Sequence, residues 1–130
     1  MLQFDWEEVN GATITAVLAA GCRADSEGGL MCDRIALVVG ARAVVMHVNI
    51  DTDEVIVSLE DSAITRDANW QTLDQLAGIV SRSLGWCWIG RNYLGYLDTF
   101  TFSIDGIDPA YSFTGIASRL DCARVTRIAA

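Results

Sequence analysis

Covalent or acid–base chemistry in this chain falls to very few side chains. Its thiols are Cys22, Cys32, Cys87 and Cys122, and its single histidine is His47. A reactive cysteine needs a base and an electropositive setting. Cys87 has Arg91 near it in sequence, but its sole candidate base is His47, and no spacing brings the two together. The cysteines form no C-x-x-C pair, so they read as small packed apolar groups and not as a zinc cage. His47 falls in the middle of a strand pattern, where a structural or surface role is expected. Asp51-Thr52-Asp53-Glu54, with Asp61 beyond, has the alternating carboxylates of a calcium loop. However, Ile56 and Ser62 stand where that loop requires glycine and glutamate. A tight turn, closed by Asp side chains on the local backbone, is the expectation. No serine sits in a nucleophile elbow. Gly90 to Gly95 lacks the Lys-Ser/Thr of a phosphate loop. The carboxylates at Glu7-Glu8, Glu60-Asp61 and Asp105 to Asp108 fall at ends and turns, with no pair placed for acid–base work. No catalytic residue, metal ligand or cofactor site is assigned, and a non-enzymatic protein is expected.

What stands out instead is the stretch Trp86-Cys87-Trp88-Ile89-Gly90-Arg91-Asn92-Tyr93-Leu94-Gly95-Tyr96-Leu97-Asp98. Aromatic side chains carry much of the energy of cores and interfaces, and the polar tips of Trp and Tyr need partners. Trp86 and Trp88 share one face of a strand and are expected to build the core. Arg91, Asn92, Tyr93 and Tyr96 lie at a hairpin tip, the residue types and the location favoured for binding. An alternative is a small-molecule pocket or active site inside a curved sheet, lined by Trp86, Trp88, Phe100, Phe102 and Tyr111.

The elements that position these residues show mostly a period of two. Ile14, Ala16 and Leu18 alternate with Thr13 and Thr15, which reads as a half-buried strand. Cys22 to Met31 is a loop. Arg34–Val39, Ala43–Asn49 and Val55–Leu59 read as strands joined by short turns, so as a meander. Phe4 to Val9 allows a short first turn. Trp70, Leu73, Leu76, Ala77 and Val80 recur at three- and four-residue steps, which predicts one main helix over Trp70 to Ser83, capped by Asn69 and stopped by Gly85. After it come the aromatic strand, the hairpin loop Gly90–Gly95, a strand over Leu97–Ile104, a turn at Asp105–Pro109, and strands over Tyr111–Ile116 and Arg119–Ile128. The expectation is a single α+β domain over residues 1–130. It would have a curved, barrel-like, mostly antiparallel sheet of seven to eight strands, with the helix packed on Trp86 and Trp88.

Composition bounds the partners. The chain is 52% hydrophobic with a formal charge of −8, and all nine of its basic residues are arginines. An acidic chain without a basic stripe is not expected to bind nucleic acid or an anionic membrane. No stretch approaches the roughly 20 apolar residues of a membrane span. The acidic first residues do not read as a secretory signal, so a cytoplasmic location is expected. A basic protein partner, or a second copy of the chain forming a homodimer, suits the charge and the apolar content.

Trp86-x-Trp88, Asn92, Gly95-Tyr96-x-Asp98 and Ile116-Ala117-Ser118, with Asn49-x-Asp51-x-Asp53-Glu54 before them, resemble a family of small uncharacterised bacterial proteins. The likeness runs from Ile14 onward. It implies a bacterial cytosolic single domain and no particular chemistry. In size and charge alone, the chain is also similar to immunity proteins of bacterial toxin systems.

Overall fold

A computed structural model describes all residues, Met1–Ala130. Eleven strands form two antiparallel sheets that share one core. The first sheet contains β1 (Ala16–Ala20), β4 (Arg34–Val39), β5 (Arg42–Val48), β6 (Val55–Asp61) and β7 (Gln71–Thr72), in the order β6-β5-β4-β1-β7. The second contains β2 (Arg23–Ala24), β3 (Leu30–Cys32), β8 (Leu84–Arg91), β9 (Leu97–Ile104), β10 (Pro109–Ile116) and β11 (Arg119–Arg124), in the order β2-β3-β11-β10-β9-β8. The two meanders expected from the alternating pattern, β4-β5-β6 and β8-β9-β10-β11, are present.

The sheets are coupled by a bent hairpin. β1 passes into β2 across Gly21, and β3 into β4 across Asp33, so both segments cross from one sheet to the other. Gly21 adopts φ +67°, and a Cβ there would lie 2.1 Å from the Asp33 carboxylate. Glycine is the residue that tolerates both conditions. The Asp33 amide donates to Ala20 O at 3.0 Å, and Arg23 pairs with the Asp33 carboxylate at 3.2 Å, so the corner is tied on both faces. Between the sheets, alternate residues interdigitate. Ile35, Leu37, Val44, Met46 and Val57 from one side meet Phe100, Phe102, Phe113, Leu84 and Leu120 from the other. Each such side chain fully buried stabilises the fold by about 1.5–3 kcal/mol. Phe102 stacks on Phe113 with ring centroids 5.6 Å apart.

The expected α+β architecture with a main helix is not what forms. The sheets are two and unclosed, and the segment from Trp70 to Ser83 contains no α-helix. It makes the two-residue strand β7 and then a 3₁₀ segment, Asp74–Ile79, kinked at Leu76 (φ −113°). Leu73, Leu76 and Ile79 enter the core between the sheets at a strict spacing of three, while Ala77 and Val80 face solvent and Trp70, ahead of β7, is buried in a separate cluster with Ala20, Ala36 and Val45. A period of three is the 3₁₀ spacing, where residues i and i+3 eclipse. The apolar series was compatible with either period. Gly78, β-branched residues at Thr72, Ile79 and Val80, and the lack of a side-chain cap at Leu73 all weaken the α-helical alternative. Asn69 does not act as a cap either: its side chain accepts no backbone amide, and its own amide donates to the Asp67 carboxylate at 2.8 Å.

The 3₁₀ arrangement predicts an order of sensitivity. Ile79→Ala lowers the unfolding free energy by about 2–5 kcal/mol. Val80→Ala changes it by no more than about 0.5 kcal/mol. Urea titration of both variants measures this, and an α-helix with Val80 on its buried face gives the reverse order.

Candidate functional site

The site begins with an irregularity in β8. Leu84 pairs with Ile104, but Cys87 pairs with Phe102, so β8 holds one residue more than β9 across this interval. Such a bulge breaks the alternation of side chains. Leu84 and Cys87 both face the core, and Trp86 and Trp88 are turned outward. The bulge is held by a compact set of contacts. The wholly buried Ser103 hydroxyl accepts from the Trp86 amide at 2.7 Å and donates to Gly106 O. The Trp6 indole N–H donates to Gly85 O at 2.7 Å, while its ring packs edge-on against Phe100 at 5.5 Å. A Cβ on Gly85 would sit 2.1 Å from Gly106 O and 2.2 Å from Ser103 Oγ, so only glycine fits.

Trp86 and Trp88 therefore do not build the core. Trp86 is 54% exposed, Trp88 is half-buried, and their rings lie 6.5 Å apart on the outer face of the second sheet. The large apolar side chains that fill this end of the core are Trp6, Phe100, Phe102 and Phe113. Beside the two indoles the outer face is lined by small hydroxyls. Trp88 stands opposite Thr101, Thr101 bonds Ser112 at 3.2 Å, and Thr99 bonds Thr114 at 3.4 Å.

At the end of β8, Asn92 constructs the hairpin. Its side-chain oxygen accepts from the Leu94 and Tyr96 amides at 2.9 and 3.3 Å, and its amide donates to Tyr96 O at 2.9 Å. Gly95, at φ +88°, completes the turn, and Arg91 donates to its carbonyl at 3.1 Å. Arg91 and Asn92 thus shape the tip. Tyr93, 96% exposed, and Leu94 project from it, with Tyr96 more shielded. The five residues read as a pocket meet only in pairs, Trp86 with Trp88 and Phe102 with Tyr111, whose ring centroids lie 6.0 Å apart, and they enclose no common cavity. Phe100 and Phe102 are sealed inside, Trp86 and Trp88 lie outside, and Tyr111 borders a separate groove of about 150 Å³ with Leu76, Phe113 and Arg124.

The edges of the sheets set β8 apart. The outer edge of β6 is covered by the first residues, with Val57 N donating to Met1 O and Gln3 N to Val57 O. β2 and β7 are two residues long. β8 has eight residues and one strand neighbour, β9. Its open side is bonded at Leu84 by Gly11 and Ala12 and touched at Gly85 O by Trp6, and past that point no other backbone hydrogen bond reaches it. Ile89 is 45% exposed on this edge. Ile89 and Leu94 were not singled out from the sequence. The signal available for Ile89 was a run, Leu84 to Gly90, without charge or proline.

The titratable groups are set for structure. Burial pushes the Cys87 thiol up to about 11. Burial first, then a hydrogen bond with Cys32, raises Cys22 to about 12. Cys32 is raised too, by its bond with Cys122 and then by burial. These thiols are protonated at neutral pH, the unreactive form. A shallow cleft of about 400 Å³ beside Trp86 contains Asn10, Ser83, Asp105 and Ile107. Its one carboxylate, Asp105, is held below its usual range by the Ser83 amide and then by Arg82, which it meets at 2.7 Å. No three His, Cys, Asp or Glu side chains are grouped to hold a metal ion. His47 is lowered by burial and then by Arg34, its neighbour across the β4–β5 pair.

The arrangement defines an all-β protein of two face-to-face sheets with one long, aromatic, unguarded strand edge. The chain belongs to a family of unknown function, DUF6334, whose model matches residues 1–129. This agrees with the resemblance to an uncharacterised family. No curated protein and no solved structure matches the chain.

Two outcomes test this geometry. Gly85→Ala destabilises the protein by about 1–3 kcal/mol through overpacking at the bulge, measured by chemical denaturation. For His47, the unfolded chain binds a proton below the ordinary value of 6.5 that the folded chain resists. Its contribution is fully present above that pH and is lost as the pH falls. Denaturation midpoints at neutral pH and at about pH 5 differ less in His47→Gln than in the wild type.

Proposed function

We propose that this protein works by binding another polypeptide, through the open edge of β8 and the hairpin that continues it, and not by catalysis. The observation that carries the reading is the contrast among the sheet edges. A long strand with unpaired backbone groups is a template for pairing, and soluble proteins blunt such edges with charge, proline, shortness or cover. Three edges here are blunted, and β8 is not. Strand addition supplies affinity through main-chain hydrogen bonds and specificity through side chains on alternate positions. Trp86 and Trp88 on the outer face, with Tyr93 at the tip, are the residue types that dominate binding energy.

Loss of binding on blunting the edge tests the reading. Immobilised wild-type protein retains a polypeptide that mass spectrometry identifies, and Trp88→Lys, folded by circular dichroism, fails to retain it. Equal retention by both proteins overturns the proposal.

A further inference from the structure

We infer that the occupant of the β8 edge is a second copy of this chain, paired antiparallel across a two-fold axis centred on Trp88. This rests on the reading of β8 as a binding edge and adds the identity and register of the partner.

Charge decides between occupants. The chain carries −8, so two copies approach only through surface that bears little of that charge. The outward positions next to the open edge are Trp86, Trp88 and Gly90 on β8, then Thr99 and Thr101 on β9. None is charged. A basic partner finds no carboxylate in this patch to recognise, whereas a second copy meets no repulsion there. A closed two-fold contact also uses the same patch twice, so one unguarded edge satisfies both subunits and leaves none exposed.

The register follows from two constraints. Residues up to Leu84 already have their open side bonded by Gly11 and Ala12, Gly85 O accepts from the Trp6 indole, and the pairing with β9 slips again after Gly90, which leaves the regular stretch from Trp86 to Gly90 free. Residues directly opposite in an antiparallel pair point to the same face of the sheet. A two-fold axis falling between residues would set Trp88, facing out, against Ile89, facing in, and a continuous sheet forbids this. An axis on Trp88 lies at the middle of the free stretch and obeys the rule. Trp88 then meets its own counterpart, and Trp86 of each copy lies over Gly90 of the other, where the missing side chain leaves room for the indole. On the inner face, Cys87 meets Ile89. The two six-stranded sheets become one continuous sheet, and the exposed apolar surface of Trp86, Trp88 and Ile89 is covered.

Light scattering on the purified protein at micromolar concentration tests this, together with oxidative cross-linking of single cysteine substitutions. The expected mass is twice 14.1 kDa, and Trp88→Lys and Trp86→Lys halve it while keeping the wild-type circular dichroism. Cross-chain Cα separation at a directly opposed pair is about 4.5–5.5 Å, within reach of a disulfide. Trp88→Cys therefore cross-links to a covalent dimer faster than Trp86→Cys or Gly90→Cys, all in a Cys87→Ser background. A dimer unaffected by both lysine variants, or a cross-linking maximum at another position, overturns the inference. A monomeric wild type overturns it as well. If that monomer still retains a different polypeptide in a Trp88-dependent way, the β8 edge stands as a binding site with another occupant. If it retains none, both readings fall.

Discussion

The meeting of Trp6, Gly85, Ser103 and Gly106 governs the useful surface of this protein. β8 must enter the sheet with Leu84 buried and continue with Cys87 packed against the same core, which a regular strand cannot do across three residues. The extra residue is accommodated because Gly85 has no side chain to strike Gly106 O, and because the buried Ser103 hydroxyl satisfies the Trp86 amide that the bulge releases. The Trp6 indole satisfies the Gly85 carbonyl from the other side. An unpaired buried amide or carbonyl would cost about 1–3 kcal/mol. Both polar groups are paired, so the bulge is a stable part of the fold. Its consequence is directional, since two indoles that would have entered the core are placed outside it.

Local alternation in the sequence was enough to place most of the strands. Arg34–Val39 and Leu97–Ile104 match β4 and β9 residue for residue, and the antiparallel meanders follow from short turns. What alternation could not convey was any position where the count slips by one. Trp86 and Trp88 do share a face, as their spacing implies, but which face depends on a bulge upstream that involves Ser103 and Gly106, distant in sequence. The helix expected over Trp70 to Ser83 failed for a related reason. Periods of three and of 3.6 coincide over the first few apolar residues, and tertiary contacts at Ile79 then select the tighter spiral. The pairing of β11 with β3, which joins the end of the chain to its beginning, has no local signature at all.

The hairpin tip shows how one stretch divides its labour. Asn92 uses its side-chain oxygen on two amides and its own amide on a third contact, so it is committed to shape. Arg91 is committed in part, to Gly95 O. The turn they build holds the side chains of Tyr93 and Leu94 away from the body of the protein, largely exposed to water. A loop ordered by its own hydrogen bonds while its apolar residues face water loses little conformational entropy when those residues are covered. The same economy applies to β8, whose extended backbone is already fixed by β9 before anything pairs with its other edge.

Edge protection links these local features to the charge of the whole chain. Acidic residues are spread over the turns and ends, at Asp51 to Glu54, Asp25, Glu27, Asp67 and Asp74, while Leu84 to Gly90 has none. A strand edge free of both charge and proline is a hazard in a monomer, since it pairs with any other exposed edge. The surrounding negative charge opposes the close approach of like copies, while the uncharged run from Leu84 to Gly90 adds nothing to that repulsion. Net charge and neutral edge then act in opposite senses, the first discouraging disordered association and the second leaving backbone groups open to pairing. Neither Trp86 nor Trp88 is needed to fill the core, so the fold itself gives no reason for two indoles on this edge.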